Sequence, residues 1–167
     1  MIFVTVGTHE QPFDRLIKYI DHLTTEKIIT ERIIMQTGFC KYVPEFCEWK
    51  SFYTFDEMQS FMKKARIIIT HGGPSSIMMS LQYGKVPVAV PRQKKYGEHI
   101  NDHQIEFVRE MADGRKNIIP VENIEDLKSI ILNYDKIISG MSVELINNNV
   151  DFNNQFENLI FDIMKGK

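Results

Sequence analysis

Residues 66–76 read RIIITHGGPSS, and this stretch decides the fold class. The apolar run Ile67–Ile69 is typical of a buried β-strand, and the two glycines that follow permit a sharp turn with close backbone approach. Pro74 suits the first position of a helix, whose exposed amides and dipole attract anions. The sequence therefore predicts a phosphate cradle, although an ordinary strand-to-helix turn remains the alternative. The candidate ligands are His71, Gly72, Gly73, Ser75 and Ser76.

Short β-branched runs alternate with segments of helical periodicity along most of the chain. The predicted strands are Ile2–Val6, Ile33–Gln36, Ser51–Thr54, Ile67–Thr70, Val86–Val90 and Asn117–Ile119. The predicted helices are Phe13–Leu23, Asp56–Lys63, Ser76–Tyr83, Ile100–Met111 and Ile124–Ile138. This alternation predicts an α/β fold with a Rossmann-like open parallel sheet and helices on both faces, whose ligand lies beyond the carboxyl ends of the strands.

The length of 167 residues fits one domain, which we predict to span residues 1–146. Asn147–Asn149 interrupt the pattern, so residues 147–167 are predicted to be a hinge and an amphipathic helix. The apolar positions of that helix are Phe152, Phe156, Leu159, Ile160 and Ile163. It would pack either on its own domain or on a partner.

Composition excludes several classes of protein. A formal charge of −2 gives no electrostatic case for a nucleic-acid partner. Cys40 and Cys47 are too few for a disulfide scaffold and lack neighbours for a zinc site, so we interpret them as reduced cytoplasmic thiols. The start of the chain lacks the pattern of a signal peptide, and no window is apolar enough to span a membrane. The motifs of dinucleotide-binding proteins, P-loop proteins and serine hydrolases are absent from the sequence.

Two further loops would reach the same edge of the sheet. Gly7, Thr8 and His9 follow the first predicted strand, and His9 is either an acid or base near neutral pH or an ordinary surface histidine. Residues 91–104 form a basic loop that contains Arg92 and opens a helix rich in polar side chains. Among these, His103 and Gln104 suit sugar hydroxyls, whereas a capped, solvated helix end is the alternative. The four-residue spacing of His99 and His103 also permits a metal site, but no third ligand is marked, so no metal is predicted.

Taken together, these segments resemble the donor-binding half of the family 28 glycosyltransferases. The resemblance rests on residues 4–8, 70–76, 84–92 and 101–104. It is strongest to the small subunits of two-component bacterial capsule and exopolysaccharide glycosyltransferases, among them a streptococcal β-1,4-galactosyltransferase. These are similar to the catalytic subunit of the eukaryotic enzyme that adds the second N-acetylglucosamine to dolichol diphosphate.

The resemblance implies the C-terminal half of a GT-B fold that binds a UDP-sugar. A separate, membrane-associated subunit would hold a lipid-linked acceptor and keep the chain at the inner face of the membrane. The implied reaction is inverting transfer of a sugar, best taken as galactose in a β-1,4 linkage, in capsule or exopolysaccharide synthesis and without a metal cofactor. A non-catalytic, nucleotide-sugar-binding or stabilising subunit is the alternative.

The resemblance also assigns roles to single residues. Gly73, Ser75 and Ser76 would hold the diphosphate, with Thr8 facing them, and Arg92 would help to stabilise the departing UDP. Phe55 would read uracil through a backbone group, and His103 and Gln104 would contact the donor sugar. The base is expected from the acceptor side, with His9 as the candidate on this chain. One departure stands out, because Met79 occupies the position, five residues before Gly84, where the family usually carries a ribose-binding glutamate.

Overall fold

The computed structural model of the chain describes residues 1–115 and 117–141. Within these residues, six parallel strands form one open sheet in the order β3-β2-β1-β4-β5-β6, which confirms the predicted α/β class. The strands are β1 (Ile2–Thr5), β2 (Ile33–Gln36), β3 (Glu48–Lys50), β4 (Ile67–His71), β5 (Val88–Val90) and β6 (Ile119–Pro120). The helices are α1 (Asp14–Thr25), α2 (Phe55–Lys64), α3 (Pro74–Gln82), α4 (His103–Arg115) and α5 (Asp126–Ser139).

Helices cover both faces of the sheet, as the unbroken apolar strands predict. Alternate residues of a strand point to opposite faces. Ile2 and Val4 of β1 therefore pack with α1 and α5, whereas Phe3 packs on the other side with Met62 of α2. On that second side, α3 and α4 cover Ala89 of β5.

The third strand is the clearest error of the sequence prediction. The strand is Glu48–Lys50, not Ser51–Thr54, and all three of its residues are exposed. Among the described strands it pairs with β2 alone and lies at the edge, so it lacks the apolar pattern of a buried strand. Residues 51–54 lead into α2 instead, because Thr54 caps that helix by exchanging hydrogen bonds with Glu57 at 3.2 and 2.8 Å.

The remaining differences are shifts of element ends. β5 begins at Val88, after Pro87, which has no N–H to donate to a neighbouring strand. The strand predicted at 117–119 is Ile119–Pro120. The helix predicted from Ile100 begins at His103, whose amide donates to the side chain of Asn101 at 3.3 Å.

The strand order fixes where a ligand can bind. The chain proceeds outward from β1 through β2 to β3, then returns to place β4 on the other side of β1. The loops after β1 and β4 consequently diverge and leave a crevice at the carboxyl edge of the sheet, which is where open α/β sheets bind their ligands.

The predicted hinge at 147–149 and the amphipathic helix up to residue 167 lie outside the described residues. Among the described helices, none combines the length and the apolar character that crossing a membrane requires.

Candidate functional site

A cavity of about 510 Å³ opens at the crevice between β1 and β4. Its walls are the loop after β1, the turn after β4, and the first turns of α2 and α3. The lining residues are Thr5, Gly7, Thr8, Gln36, Tyr53, Phe55, Met58, His71, Gly73, Pro74, Ser75 and Ser76. Seven of the predicted site residues are thus brought together. Within residues 1–115 and 117–141, no side chain that lines the cavity is Lys, Arg, Asp or Glu.

The N-terminus of α3 forms one side of the cavity. Gly73 is the N-cap and has no side chain to accept the amides of the first turn, and Pro74 occupies the first helical position. The first four N–H groups of a helix lack partners within it and carry its positive dipole end. No acidic residue lies in this first turn to offset that charge. The end of α3 is therefore suited to an anionic group in the cavity.

His71, the last residue of β4, lies between the two glycine loops. A Cβ added at either Gly7 or Gly73 would collide with its imidazole ring, and Gly7 also has a φ of 74°, which disfavours any other residue. His71 is 9% exposed, and its buried Nδ1 has no hydrogen-bond partner among the residues that the structure describes. Burial, reinforced by the positive charge of Arg92, lowers the pKa of His71 to about 4. The ring is therefore neutral at physiological pH.

The depressed pKa of His71 predicts that the free energy of unfolding decreases as the solution is acidified. The unfolded histidine takes up a proton near its ordinary pKa of 6.5, whereas the folded one does so only near 4. Stability is consequently lost as the pH falls from 6.5 towards 4, by about 2 kcal/mol at about pH 5. Urea unfolding of the wild type and of His71→Asn at about pH 7 and about pH 5 measures this difference.

The matched control is His22→Asn, which alters an exposed histidine of α1. We expect this variant to retain the pH dependence of the wild type. If the wild type and His71→Asn lost the same free energy of unfolding between about pH 7 and about pH 5, His71 would not be the group that causes the pH dependence.

The opposite side of the cavity is aromatic. Phe55 opens α2 with 62% of its surface exposed, and Tyr53 and Met58 extend the same wall. Asp56 and Glu57 lie in the first turn of α2, so the positive end of this helix already faces acidic side chains. This wall favours a planar, neutral group over an anion.

Thr5 and Gln36 lie in the cavity although the sequence prediction did not include them. Both end otherwise apolar strands, and both are buried. A polar residue at the carboxyl end of a buried strand was the signal that could have identified them.

Five predicted residues do not line this cavity, namely His9, Gly72, Arg92, His103 and Gln104.

Arg92 is fully buried. Its Nη1 donates to the carbonyls of Gln11 and Glu98 at 2.5 and 3.1 Å, and its Nη2 donates to that of Val6 at 2.9 Å. The predicted contact of Arg92 with a diphosphate is not formed by this geometry, because the guanidinium lies inside the fold. It joins the loops after β1 and β5 instead.

Gly72 and Gln104 are in contact with each other, and neither they nor His103 line the cavity. A Cβ at Gly72 would be 2.9 Å from the Cβ of Gln104, so this glycine allows α4 to pack closely on the turn. The side-chain oxygen of Gln104 accepts from the Arg92 amide at 3.1 Å. His103 is exposed and contacts Glu106 at 3.0 Å.

His9 stacks on His99 with ring centroids 4.7 Å apart, and its Nε2 lies 3.0 Å from the Gln11 side chain. Its role as acid or base stays a prediction. Among the described residues, no group of three or more potential metal-ligating side chains is found.

Met79 lies one turn beyond Ser75 and Ser76 in α3. Its side chain packs against the apolar cluster of Phe3, Ile34 and Met62, and it is not one of the residues that line the cavity. A thioether there offers no strong acceptor for hydroxyl groups.

Known proteins match both the sequence and this architecture. Residues 1–139 match the glycosyltransferase family 28 C-terminal domain. The human UDP-N-acetylglucosamine transferase subunit ALG13 is 34% identical over 119 residues, which cover 66% of this chain and 10% of that protein. The ALG13 subunit of Yarrowia lipolytica (strain CLIB 122 / E 150) is 28% identical over 135 residues, covering 71% of this chain and 64% of that protein. The chain thus spans only part of these relatives.

Among solved structures, the glycotransferase of kitacinnamycin superposes with a TM-score of 0.66 at 13% identity, covering 94% of this chain and 39% of the other. At that identity the likeness establishes the fold, which matches the C-terminal half of GT-B glycosyltransferases. The sequence match over residues 1–139 shows that the chain belongs to the glycosyltransferase family 28 C-terminal domain family.

Proposed function

We propose that this chain binds a UDP-sugar and transfers its sugar as one subunit of a two-component glycosyltransferase. The observation that supports this most strongly is the pairing, in one cavity, of the uncapped α3 N-terminus with an aromatic wall. Both features suit a nucleoside diphosphate, the helix N-terminus its anionic diphosphate and the aromatic wall its planar base.

The two helix ends suggest the orientation of the ligand. The first turn of α3 has no acidic residue, whereas that of α2 carries Asp56 and Glu57. A diphosphate is therefore favoured at Ser75 and Ser76 and disfavoured at α2, where uracil would contact Phe55. The neutral His71 ring, between the glycines at 7 and 73, would lie next to the diphosphate.

The proposed chemistry is direct displacement with inversion. The oxygen of an acceptor hydroxyl attacks the anomeric carbon, the bond from that carbon to the diphosphate oxygen breaks, and UDP leaves with the electron pair. The hydroxyl proton passes to a base, which we place on the acceptor side. The amides of α3 stabilise the negative charge that develops on UDP, and no metal forms part of the proposal.

The proposal of a second subunit draws on the curated relatives, which are named as subunits of a UDP-N-acetylglucosamine transferase. By analogy, a separate membrane-associated protein would present a lipid-linked sugar diphosphate to the open cavity. The family resemblance suggests galactose, a β-1,4 linkage and a capsular product, whereas the relatives suggest N-acetylglucosamine. A panel of UDP-sugars offered to the reconstituted pair decides between these donors.

Isothermal titration calorimetry of the chain alone provides the first test. We expect UDP to bind at least about tenfold more tightly than uridine, because only the diphosphate reaches the α3 N-terminus. Equal affinities would remove the diphosphate from the proposed position.

A second candidate function follows from Met79, which cannot hold ribose hydroxyls as a glutamate would. The chain could then be a non-catalytic nucleotide-sugar-binding or stabilising subunit. UDP binding without transfer by the reconstituted pair would favour this alternative.

A further inference from the structure

Gln36 is a polar side chain on the floor of the cavity, at the end of a strand that is otherwise Ile33, Ile34 and Met35. It is 4% exposed. Burying an amide is unfavourable unless its donor and acceptor are both used, so its partners indicate what it does.

Both ends of the Gln36 amide make hydrogen bonds. Its Oε1 accepts from the backbone N–H of Tyr53 at 3.1 Å, and its Nε2 donates to the Thr5 Oγ1 at 3.2 Å. The same Thr5 oxygen accepts from the backbone N–H of Gly7 at 3.2 Å. A chain of three hydrogen bonds therefore runs across the cavity floor from Gly7 to Tyr53.

The two ends of this chain lie on opposite walls. Gly7 is in the loop that contacts His71 on the side of the α3 N-terminus. Tyr53 comes two residues before Phe55, on the aromatic wall. The Gln36 amide thus links one wall to the other.

The sheet does not need this side chain. Thr5 and Gln36 are already paired by the parallel ladder of β1 and β2, and the backbone carbonyl of Gln36 accepts from Val6 at 3.2 Å. The side-chain bonds add a connection to residue 53, which belongs to no strand. Their loss should move the aromatic wall and leave the strands in place.

We infer that Gln36 is a positioning residue for nucleobase selection, an inference that rests on the proposed binding of a UDP-sugar. Through the backbone of Tyr53 it holds the wall at Phe55 at the distance from the diphosphate position that uracil requires. Uracil has a donor at N3 and an acceptor at O4, whereas cytosine has an acceptor at N3 and a donor in its 4-amino group, so discrimination between them depends on the placement of that wall.

The test compares UDP, CDP and inorganic pyrophosphate by calorimetry in the wild type and in Gln36→Met. Methionine has a similar length but cannot make these hydrogen bonds. We expect the preference for UDP over CDP to fall about tenfold, as the loss of one hydrogen bond between the displaced wall and the base would predict. Pyrophosphate affinity should change less than about twofold, because the α3 N-terminus is untouched.

Gln36→Glu is the second variant. Its carboxylate can still accept from the Tyr53 amide and can accept from the Thr5 hydroxyl in place of the lost donation, so the preference for UDP over CDP should survive. The added negative charge should weaken pyrophosphate binding. Gln82→Met, an exposed change on α3 outside the cavity, is the matched control and should behave as the wild type.

An unchanged preference in Gln36→Met, or an equal loss of UDP and pyrophosphate affinity, would overturn the inference while leaving the proposed function standing. Should Gln36→Met fail to fold, loss of the preference in Gln36→Glu would overturn it in the same way. A wild type that binds pyrophosphate but shows no preference for UDP overturns the nucleobase role, and one that binds neither overturns the proposed function itself.

Discussion

Ser76→Trp is expected to abolish UDP binding and to leave the fold intact. Ser76 is half-buried in the first turn of α3 and lines the cavity, so an indole at this position occupies the space in front of the helix amides. We expect the dissociation constant of UDP to rise at least about 100-fold, which corresponds to about 2.7 kcal/mol. Calorimetry measures the affinity, and circular dichroism during heating checks the fold.

Two variants control for this result. Ser129→Trp places the same indole on an exposed position of α5 and should bind UDP as the wild type does. Ser76→Ala removes only the hydroxyl and should lower the affinity for UDP little, since the backbone amides are proposed to hold the diphosphate. If Ser76→Trp bound UDP normally, the N-terminus of α3 would no longer be a candidate site.

Arg92→Met is expected to be the most destabilising single substitution proposed for this chain. The variant leaves the carbonyls of Val6, Gln11 and Glu98 without the guanidinium that donates to them. It also removes the charge that lies 5.0 Å from the centre of the Phe13 ring. We expect the free energy of unfolding to fall by about 4 kcal/mol, measured by urea denaturation at neutral pH.

Arg109→Met is the matched control, because this exposed arginine pairs with Glu122 on the surface. Such pairs contribute about 1 kcal/mol or less. The loss of stability in Arg92→Lys should lie between those of Arg92→Met and Arg109→Met, since lysine keeps the charge but not the forked geometry of the guanidinium. Equal and small losses for Arg92 and Arg109 would mean that the buried guanidinium does not join the two loops.

The sheet could be predicted where strands are buried on both faces. β1, β2 and β4 are short apolar runs, and each lies at or within one residue of its predicted bounds. β3 could not be found in this way, because an exposed edge strand has no face that requires apolar residues.

In the candidate site, too, some residues could be predicted from a local sequence pattern and others could not. The residues near α3 were predicted because one continuous stretch carries the strand, the turn and the helix start. Arg92 was misjudged because its partners at positions 6 and 11 are more than 80 residues away in sequence. A basic loop is expected to be exposed to solvent, and only the folded structure shows that Arg92 is buried. Gln36 was missed for a related reason, since its partner Tyr53 is brought near only by the pairing of β2 with β3.

The edge strand has a practical consequence. Trp49 in the middle of β3 is the single tryptophan of the sequence and is 40% exposed. Trp49 comes four residues before Tyr53 in the sequence, on the segment that leads to the aromatic wall. The intrinsic fluorescence of the protein therefore comes chiefly from a residue four positions before Tyr53 of the aromatic wall, and titrations with nucleotides or with a candidate subunit can be attempted optically without attaching a dye.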